Sequence, residues 1–156
     1  MNTYLVLKWL HIVSSVLMVG TGLGSAFYMF FANRSGIVPA QAVVSRLVVR
    51  ADRWFTTPTV ILQPATGFAL AHMAGWPLST PWLAVSLALF VFAGACWLPV
   101  VWLQIRMAAI AAQAHRDAAP LPPLYARYQR WWELLGYPAF AAMVVVFYLM
   151  VNKPQL

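Results

Sequence analysis

The stretch WLAVSLALFVFAGACWLPVVWLQIRM, residues 82–107, decides the fold. It carries no charged side chain before Arg106, and it is longer than the ~20 apolar residues that a helix needs to cross the hydrocarbon core of a bilayer. Three further apolar stretches cover about residues 4–32, 54–74 and 131–151. The sequence therefore predicts an all-α fold, a four-helix transmembrane bundle that forms a single domain over residues 1–156.

The amino-acid composition argues against the soluble classes of protein. Hydrophobic residues make up 63% of the 156 residues, and charged residues make up 8%. A soluble domain carries about 25% charged residues, so this chain could not cover a water-facing surface. The aromatic fraction of 15% excludes a disordered tail. Cys96 is the single cysteine, so neither a disulfide framework nor a cysteine-based metal site is available.

The distribution of positive charge predicts the orientation. Eight of the ten Lys and Arg residues lie in two alternate connections: Arg34, Arg46, Arg50, Arg53, Arg106, Arg116, Arg127 and Arg130. The turn at residues 75–81 carries no charge. The positive-inside rule then places both arginine-rich connections in the cytoplasm and both termini on the outer side of the membrane. Because the charges alternate between loops instead of forming one patch on a soluble fold, membrane lipid is the expected surrounding and nucleic acid is not.

Two segments beside the spans predict cytoplasmic helical extensions. Pro39–Arg50 is expected to begin an interfacial helix that leads into the second span, and Ala108–Ala119 is expected to extend the third helix. Kinks are predicted at the prolines within the spans, Pro58, Pro64, Pro99 and Pro138. The first stretch is too long for a signal-peptide core, so we expect it to stay as a helix.

Few ionisable side chains lie outside the loops, and these are the candidates for chemistry: Lys8, His11, His72 and Glu133. An ionisable group that faces lipid costs roughly 2.5–3.5 kcal/mol, so such groups usually face the bundle interior. A stripe of small or polar residues at helical spacing runs down the first stretch: Lys8, His11, Ser15, Met18 and Gly22. The imidazole of His11 could ligate a haem iron, relay protons or hydrogen-bond a neighbouring helix.

Other residues of the spans have narrower predicted roles. His72 is expected at a similar depth to His11, as two ligands of one haem require. The second span has a polar stripe of its own, formed by Thr56, Thr59, Gln63 and Thr66. His72 follows Gln63 by nine residues and therefore points to the opposite side from this stripe. The sequence leaves two roles open for His72, that of a haem ligand and that of an interfacial residue. The run Gly20-Thr21-Gly22-Leu23-Gly24 predicts a helix-packing surface of small residues. We expect Glu133 to form an ion pair with one of three arginines, Arg130, Arg53 or Arg106.

Both ends of the chain resemble a superfamily of small bacterial four-helix membrane proteins. The motif LHIVSS at residues 10–15, before the glycine run, resembles the first helix of that group. The segment YQRWWE at residues 128–133, followed by Pro138 and the Lys153-Pro154 pair, is similar to its last helix. The superfamily includes the copper-resistance D proteins and the haem-binding membrane protoporphyrinogen oxidases. The middle, residues 71–79 and 102–106, looks closer to a sister family of predicted integral membrane proteins without assigned function.

The resemblance to the oxidases implies that His11 is a haem ligand. Those oxidases pair their first-helix histidine with a lysine of the third helix, whereas the third span here has neither Lys nor His. The resemblance therefore supports haem binding more than protoporphyrinogen oxidation. On this basis we expect haem b with His11 and His72 as metal ligands, and with Lys8 and Lys153 beside the propionates.

The sequence thus favours a b-type haem membrane protein that transfers electrons or oxidises a small molecule. A quinone or a porphyrin is the expected substrate, and whether there is enzymatic turnover stays open. The alternative is a non-catalytic structural or assembly subunit, whose small-residue faces and arginine-rich loops dock on a larger membrane complex. Association as a homo-oligomer or as such a subunit is expected in either case.

Overall fold

The computed structural model describes residues 2–154, and within that range the chain is helical without any strand. The elements in chain order are α1 (Thr3–Ser35), α2 (Val38–Ala51), a π-helical turn (Asp52–Thr56), α3 (Thr57–Met73), α4 (Pro81–Arg116) and α5 (Pro123–Asn152). The predicted all-α fold is therefore confirmed.

Three of these helices, α1, α4 and α5, are long and apolar enough to cross a membrane. They correspond to three of the four predicted spans. The predicted span 54–74 is divided between the π-helical turn and α3, and α3 has only 17 residues. Large apolar side chains such as Leu98 and Val151 are exposed along the helices, as expected for surfaces that face lipid tails.

The two segments predicted to extend the bundle beside the spans form as helices. The interfacial helix expected from Pro39 is α2, and α4 continues without a break from its apolar part to Arg116. Gly36 ends α1 with a φ of 69°, a left-handed conformation that glycine adopts without strain. Proline in the first turn of α2, α4 and α5 begins each of these helices where its missing N–H costs nothing.

The π-helical turn joins α2 directly to α3. In a regular helix the ring of Pro58 would clash with the carbonyl of Trp54 and leave that carbonyl without a donor. In the wider π-helical turn before Pro58, the N–H of Thr57 bonds the carbonyl of Asp52, five residues earlier. As a result, the side chains of Asp52 and Thr56 are both buried, and the Thr56 hydroxyl donates to Asp52 Oδ1 over 2.8 Å.

The helices pack as two pairs that α2 links at one end. Helix α3 packs against α1, helix α5 packs against α4, and α2 contacts both α1 and α4. The main buried cluster lies at this linked end and includes Met29, Val48, Met107 and Trp132. Beyond it α1 and α5 touch only sparsely, so the two pairs stand apart and leave a space between them.

Candidate functional site

His11 of α1 meets two polar side chains of α3. Its Nδ1 lies 2.8 Å from Thr66 Oγ1, and its Nε2 lies 3.1 Å from Gln63 Nε2. Ser14, which is almost fully buried, donates its hydroxyl to Gln63 Oε1. We call His11, Ser14, Gln63 and Thr66 the His11 cluster. It is a continuous polar network between α1 and α3.

The partners of His11 determine its tautomer. The Thr66 hydroxyl donates to the carbonyl of Leu62 over 2.8 Å, so its oxygen is left to accept from the imidazole. The amide nitrogen of Gln63 can only donate, so His11 Nε2 must accept. The network therefore assigns a neutral imidazole with its proton on Nδ1 and its lone pair on Nε2.

Residue spacing explains how the cluster forms. Ser14 follows His11 by three residues and Thr66 follows Gln63 by three, so each pair lies on one face of its helix. Gly67 provides the room for the ring, because a Cβ at this position would lie 3.3 Å from His11 Cε1. The sequence had indicated both polar stripes, and the fold brings them together.

The other predicted site residues lie elsewhere. His72 is exposed at the end of α3, about half a turn round the helix from Gln63. Lys8 is exposed one turn outward from His11. The Lys153 ammonium lies 6.0 Å and 5.8 Å from the ring centroids of Trp76 and Trp82. His11 thus joins Ser14, Gln63 and Thr66 by hydrogen bonds, and no hydrogen bond within residues 2–154 joins it to His72, Lys8 or Lys153.

Metal-binding clusters of the usual kind are absent from the described chain. Residues 2–154 contain no group of three or more His, Cys, Asp or Glu side chains that could hold a metal ion. Any metal at His11 would therefore depend on donors other than these, such as the four nitrogens of a porphyrin.

Glu133 forms its ion pair with Arg34, at 3.1 Å, and not with Arg130, Arg53 or Arg106 as expected. The guanidinium of Arg34 also stacks over the ring of Phe30, 3.4 Å from its centroid. The pair joins the ends of α1 and α5, which are far apart in sequence. Spacing along one helix favoured Arg130, but the tertiary fold presents Arg34 instead.

The space between the two helix pairs is a cavity of about 440 Å³, which we call the interhelical cleft. Its walls are mostly apolar and come from α1, α3, α4 and α5, with Met18, Gly22, Val60, Gly94, Trp97 and Gly136 among them. A Cβ at Gly20, Gly22 or Gly24 would meet no atom within 4 Å. The glycine run therefore does not serve as a packing surface inside this chain, and Gly22 widens the cleft instead.

Polar side chains lie at one end of the cleft: Asp52, Thr56, Gln104 and Glu133. Asp52 precedes the predicted span 54–74, and burial raises the pKa of its carboxyl, while the hydrogen bond from Thr56 and the nearby side chain of Gln104 oppose the rise. Sequence reasoning missed Asp52, because it stands between Arg50 and Arg53 in what resembles a solvated connection. The only signal was Thr56, four residues later on the same helical face.

Comparison with known proteins gives one match. A family model described as "Predicted integral membrane protein (DUF2269)" matches residues 5–154. No curated protein and no solved structure matches the chain. The match covers nearly the whole sequence, as expected for a family of predicted integral membrane proteins.

Proposed function

Because the chain belongs to the family of predicted integral membrane proteins (DUF2269), we propose that it crosses the bacterial inner membrane four times. The fourth crossing would be α3 with residues 54–56 before it. The eight arginines of the two alternate connections support cytoplasmic loops there and both termini outside. The motifs at residues 10–15 and 128–133 support a relationship to the superfamily of copper-resistance D proteins and membrane protoporphyrinogen oxidases.

We propose that the protein binds a b-type haem through His11 and acts in electron transfer or in oxidation of a small molecule such as a quinone or porphyrin. The observation that carries the proposal is the hydrogen bond of His11 Nδ1 to Thr66, which leaves the lone pair on Nε2. Histidines that bind metals typically donate their second ring N–H to a fixed acceptor in this way. A bound haem would supply one-electron redox chemistry.

The neighbouring residues would hold His11 as a single protein ligand of the haem. Thr66 holds the ring orientation, and Gly67 leaves space for the ring. Gln63 now donates to Nε2, so its side chain would have to rotate away before ligation. His72 lies exposed on another side of α3, which favours a single protein ligand over a histidine pair. A haem held by a single protein ligand would favour substrate chemistry over simple electron transfer.

A non-catalytic structural or assembly subunit is the second candidate. The observation that favours it is the completeness of the His11 cluster, because both ring nitrogens already have partners in the chain. On this view the cluster is an interhelical lock between α1 and α3. Polar contacts of this kind contribute roughly 0.6 kcal/mol each on average within membranes.

The ultraviolet–visible spectrum separates the two functions. We would purify the wild type, His11→Ala, Gln63→Leu and His72→Ala in mild detergent from haem-replete cells, and record oxidised and dithionite-reduced spectra. Haem ligation predicts a Soret band in the wild type and His72→Ala, no such band in His11→Ala, and retained haem in Gln63→Leu. A colourless wild type would overturn haem binding. If the wild type is colourless, the structural function predicts that His11→Ala and Gln63→Leu both lower the thermal midpoint, because they break the contacts between α1 and α3. His72→Ala should leave the midpoint unchanged.

A further inference from the structure

The interhelical cleft has chemistry that the His11 cluster does not use. We propose that it binds a lipophilic amine, a molecule with one protonated amino group and an apolar body. The proposal is independent of haem, because no residue of the His11 cluster lines the cleft.

Two buried oxygens at the polar end lack hydrogen-bond donors. Asp52 Oδ2 and Gln104 Oε1 have no partner, although the two residues are only 4% and 5% exposed. Asp52 Oδ1 already accepts from Thr56. Both oxygens are acceptors, so a group that donates hydrogen bonds is what completes them, whereas the indole N–H of Trp132 in the same cleft is an unpartnered donor. Leaving a buried acceptor unpaired is costly, and a bound donor would recover that cost.

The charge balance of the cleft favours a cation as that donor. Asp52 and Glu133 line the cleft, and no Lys, Arg or His lines it. Glu133 is neutralised by Arg34 at 3.1 Å, whereas Asp52 has no salt bridge within residues 2–154. An ammonium group carries three donors and one positive charge, so it would satisfy the open oxygens and balance the buried carboxylate together.

The walls fit the rest of such a molecule. Eight aromatic side chains line the cleft, among them Phe30, Phe90 and Trp97, and aromatic faces attract cations. Gly22, Gly94 and Gly136 come from three different helices, and a Cβ at each would meet nothing within 4 Å. The volume of about 440 Å³ lies within the roughly 300–1,000 Å³ that is typical of small-molecule sites.

One alternative explains the unpartnered oxygens without a ligand. A proton on Asp52 itself would be donated to Gln104, and the polar end would then be neutral. Such a site would have no preference for an amine over an alcohol of the same chain length. The choice between the two explanations is therefore made by comparing octylamine with octanol.

The test measures saturable binding of radiolabelled octylamine and octanol to the full chain in phosphatidylcholine nanodiscs at neutral pH. We expect the wild type to bind octylamine saturably and octanol at least about tenfold more weakly, since removing one partner of a buried charge pair is costly. Asp52→Asn keeps the shape of the side chain and should lose octylamine binding by a similar factor. Gly94→Leu should lose it too, because the new side chain fills the cleft.

The matched control is Asp117→Asn, which removes an exposed carboxylate at the end of α4 and should bind octylamine like the wild type. Thermal midpoints and gel-filtration profiles of all variants identify any that fail to fold. Equal binding of octylamine by the wild type and Asp52→Asn would overturn the proposal. Equal or stronger binding of octanol would overturn it as well and would favour the protonated carboxyl.

Discussion

The Nδ1 atom of His11 lies 2.8 Å from the hydroxyl oxygen of Thr66, 55 positions later in the chain. Because the Thr66 hydroxyl proton is used by a carbonyl of its own helix, the orientation of the imidazole is coupled to the backbone of α3. This contact joins α1 to α3 and, together with the contact to Gln63, fixes the tautomer of His11.

Replacing Thr66 with valine keeps the shape of the side chain and removes the acceptor for His11 Nδ1. We expect the free energy of unfolding to fall by roughly 0.5–2 kcal/mol, as measured by unfolding in mixed detergent micelles. Nitrogen NMR of the histidine ring should still show the Nδ1–H tautomer, because Gln63 continues to donate to Nε2, but with the Nδ1 signal shifted by the loss of its acceptor. Thr57→Val removes an exposed hydroxyl from the same helix and is the control. The same loss in both variants would show that the His11 contact has no special role.

Replacing Gly67 with alanine should disturb the His11 cluster by contact alone. The new Cβ would lie 3.3 Å from His11 Cε1, closer than ordinary van der Waals contact, so the ring must shift away from α3. We expect a lower thermal midpoint and a changed histidine ring spectrum. Gly20→Ala places a methyl group where no atom lies within 4 Å, and there alanine should be neutral or slightly stabilising. A neutral Gly67→Ala variant would mean that the ring has room to move.

Replacing Tyr125 with phenylalanine should destabilise the end of the bundle that α2 links. The Tyr125 hydroxyl donates to Asn33 Oδ1 over 2.6 Å, and both residues are buried. Its loss leaves a buried carbonyl oxygen unpaired, which costs roughly 1–3 kcal/mol in the free energy of unfolding. Tyr28→Phe changes an exposed ring on α1 and should stay within about 0.5 kcal/mol of the wild type. Equal stabilities for the two variants would contradict the structure.

The Asp52 carboxyl should make stability depend on pH. Burial raises its pKa above the ordinary 3.8, so the folded protein holds this proton more tightly than the unfolded chain does. The free energy of unfolding is then highest below the ordinary pKa and falls as the pH rises from there through the raised value. Glu133 also lines the cleft but is paired with Arg34.

Unfolding midpoints of the wild type, Asp52→Asn and Asp117→Asn at several pH values above 3.8 check this dependence. We expect the decline with rising pH in the wild type and in Asp117→Asn, and a flatter profile in Asp52→Asn. A decline that survives in Asp52→Asn would assign the proton to another group.

Single-cysteine labelling tests the orientation. With Cys96 replaced by alanine, Ser79→Cys should react with an impermeant maleimide from outside intact spheroplasts. Arg46→Cys and Ala118→Cys should react only after the membrane is opened, because the positive-inside rule puts their loops in the cytoplasm. Labelling of Arg46→Cys in intact spheroplasts would reverse the proposed topology.

The helices that could be predicted are those that their own composition determines. Helices α1, α4 and α5 follow from long apolar runs, and the proline-bounded ends of α4 and α5 follow from local chemistry. The division of residues 54–74 between a π-helical turn and α3 could not be predicted, because a hydropathy profile does not distinguish the two kinds of turn.

The site was predictable in parts. The sequence indicated His11 and the stripe containing Gln63 and Thr66, but pairing the two stripes requires the packing of α1 on α3. Glu133 was assigned to nearby arginines, whereas its partner comes from the far end of α1. Asp52 was missed because its arginine neighbours suggested a solvated loop, and its burial depends on the turn that follows α2.

The π-helical turn at Asp52–Thr56 sets the phase of α3. Its hydrogen bond spans one residue more than an α-helical turn, so the same residues wound as a regular α-helix would rotate α3 relative to α2 by about the 100° that one residue turns. Gln63 and Thr66 would then face away from His11, although the composition and hydropathy of α3 would not change. The turn thus absorbs one extra residue. A relative that is one residue shorter at this point and has a regular α-helix there would keep the contact to its first-helix histidine.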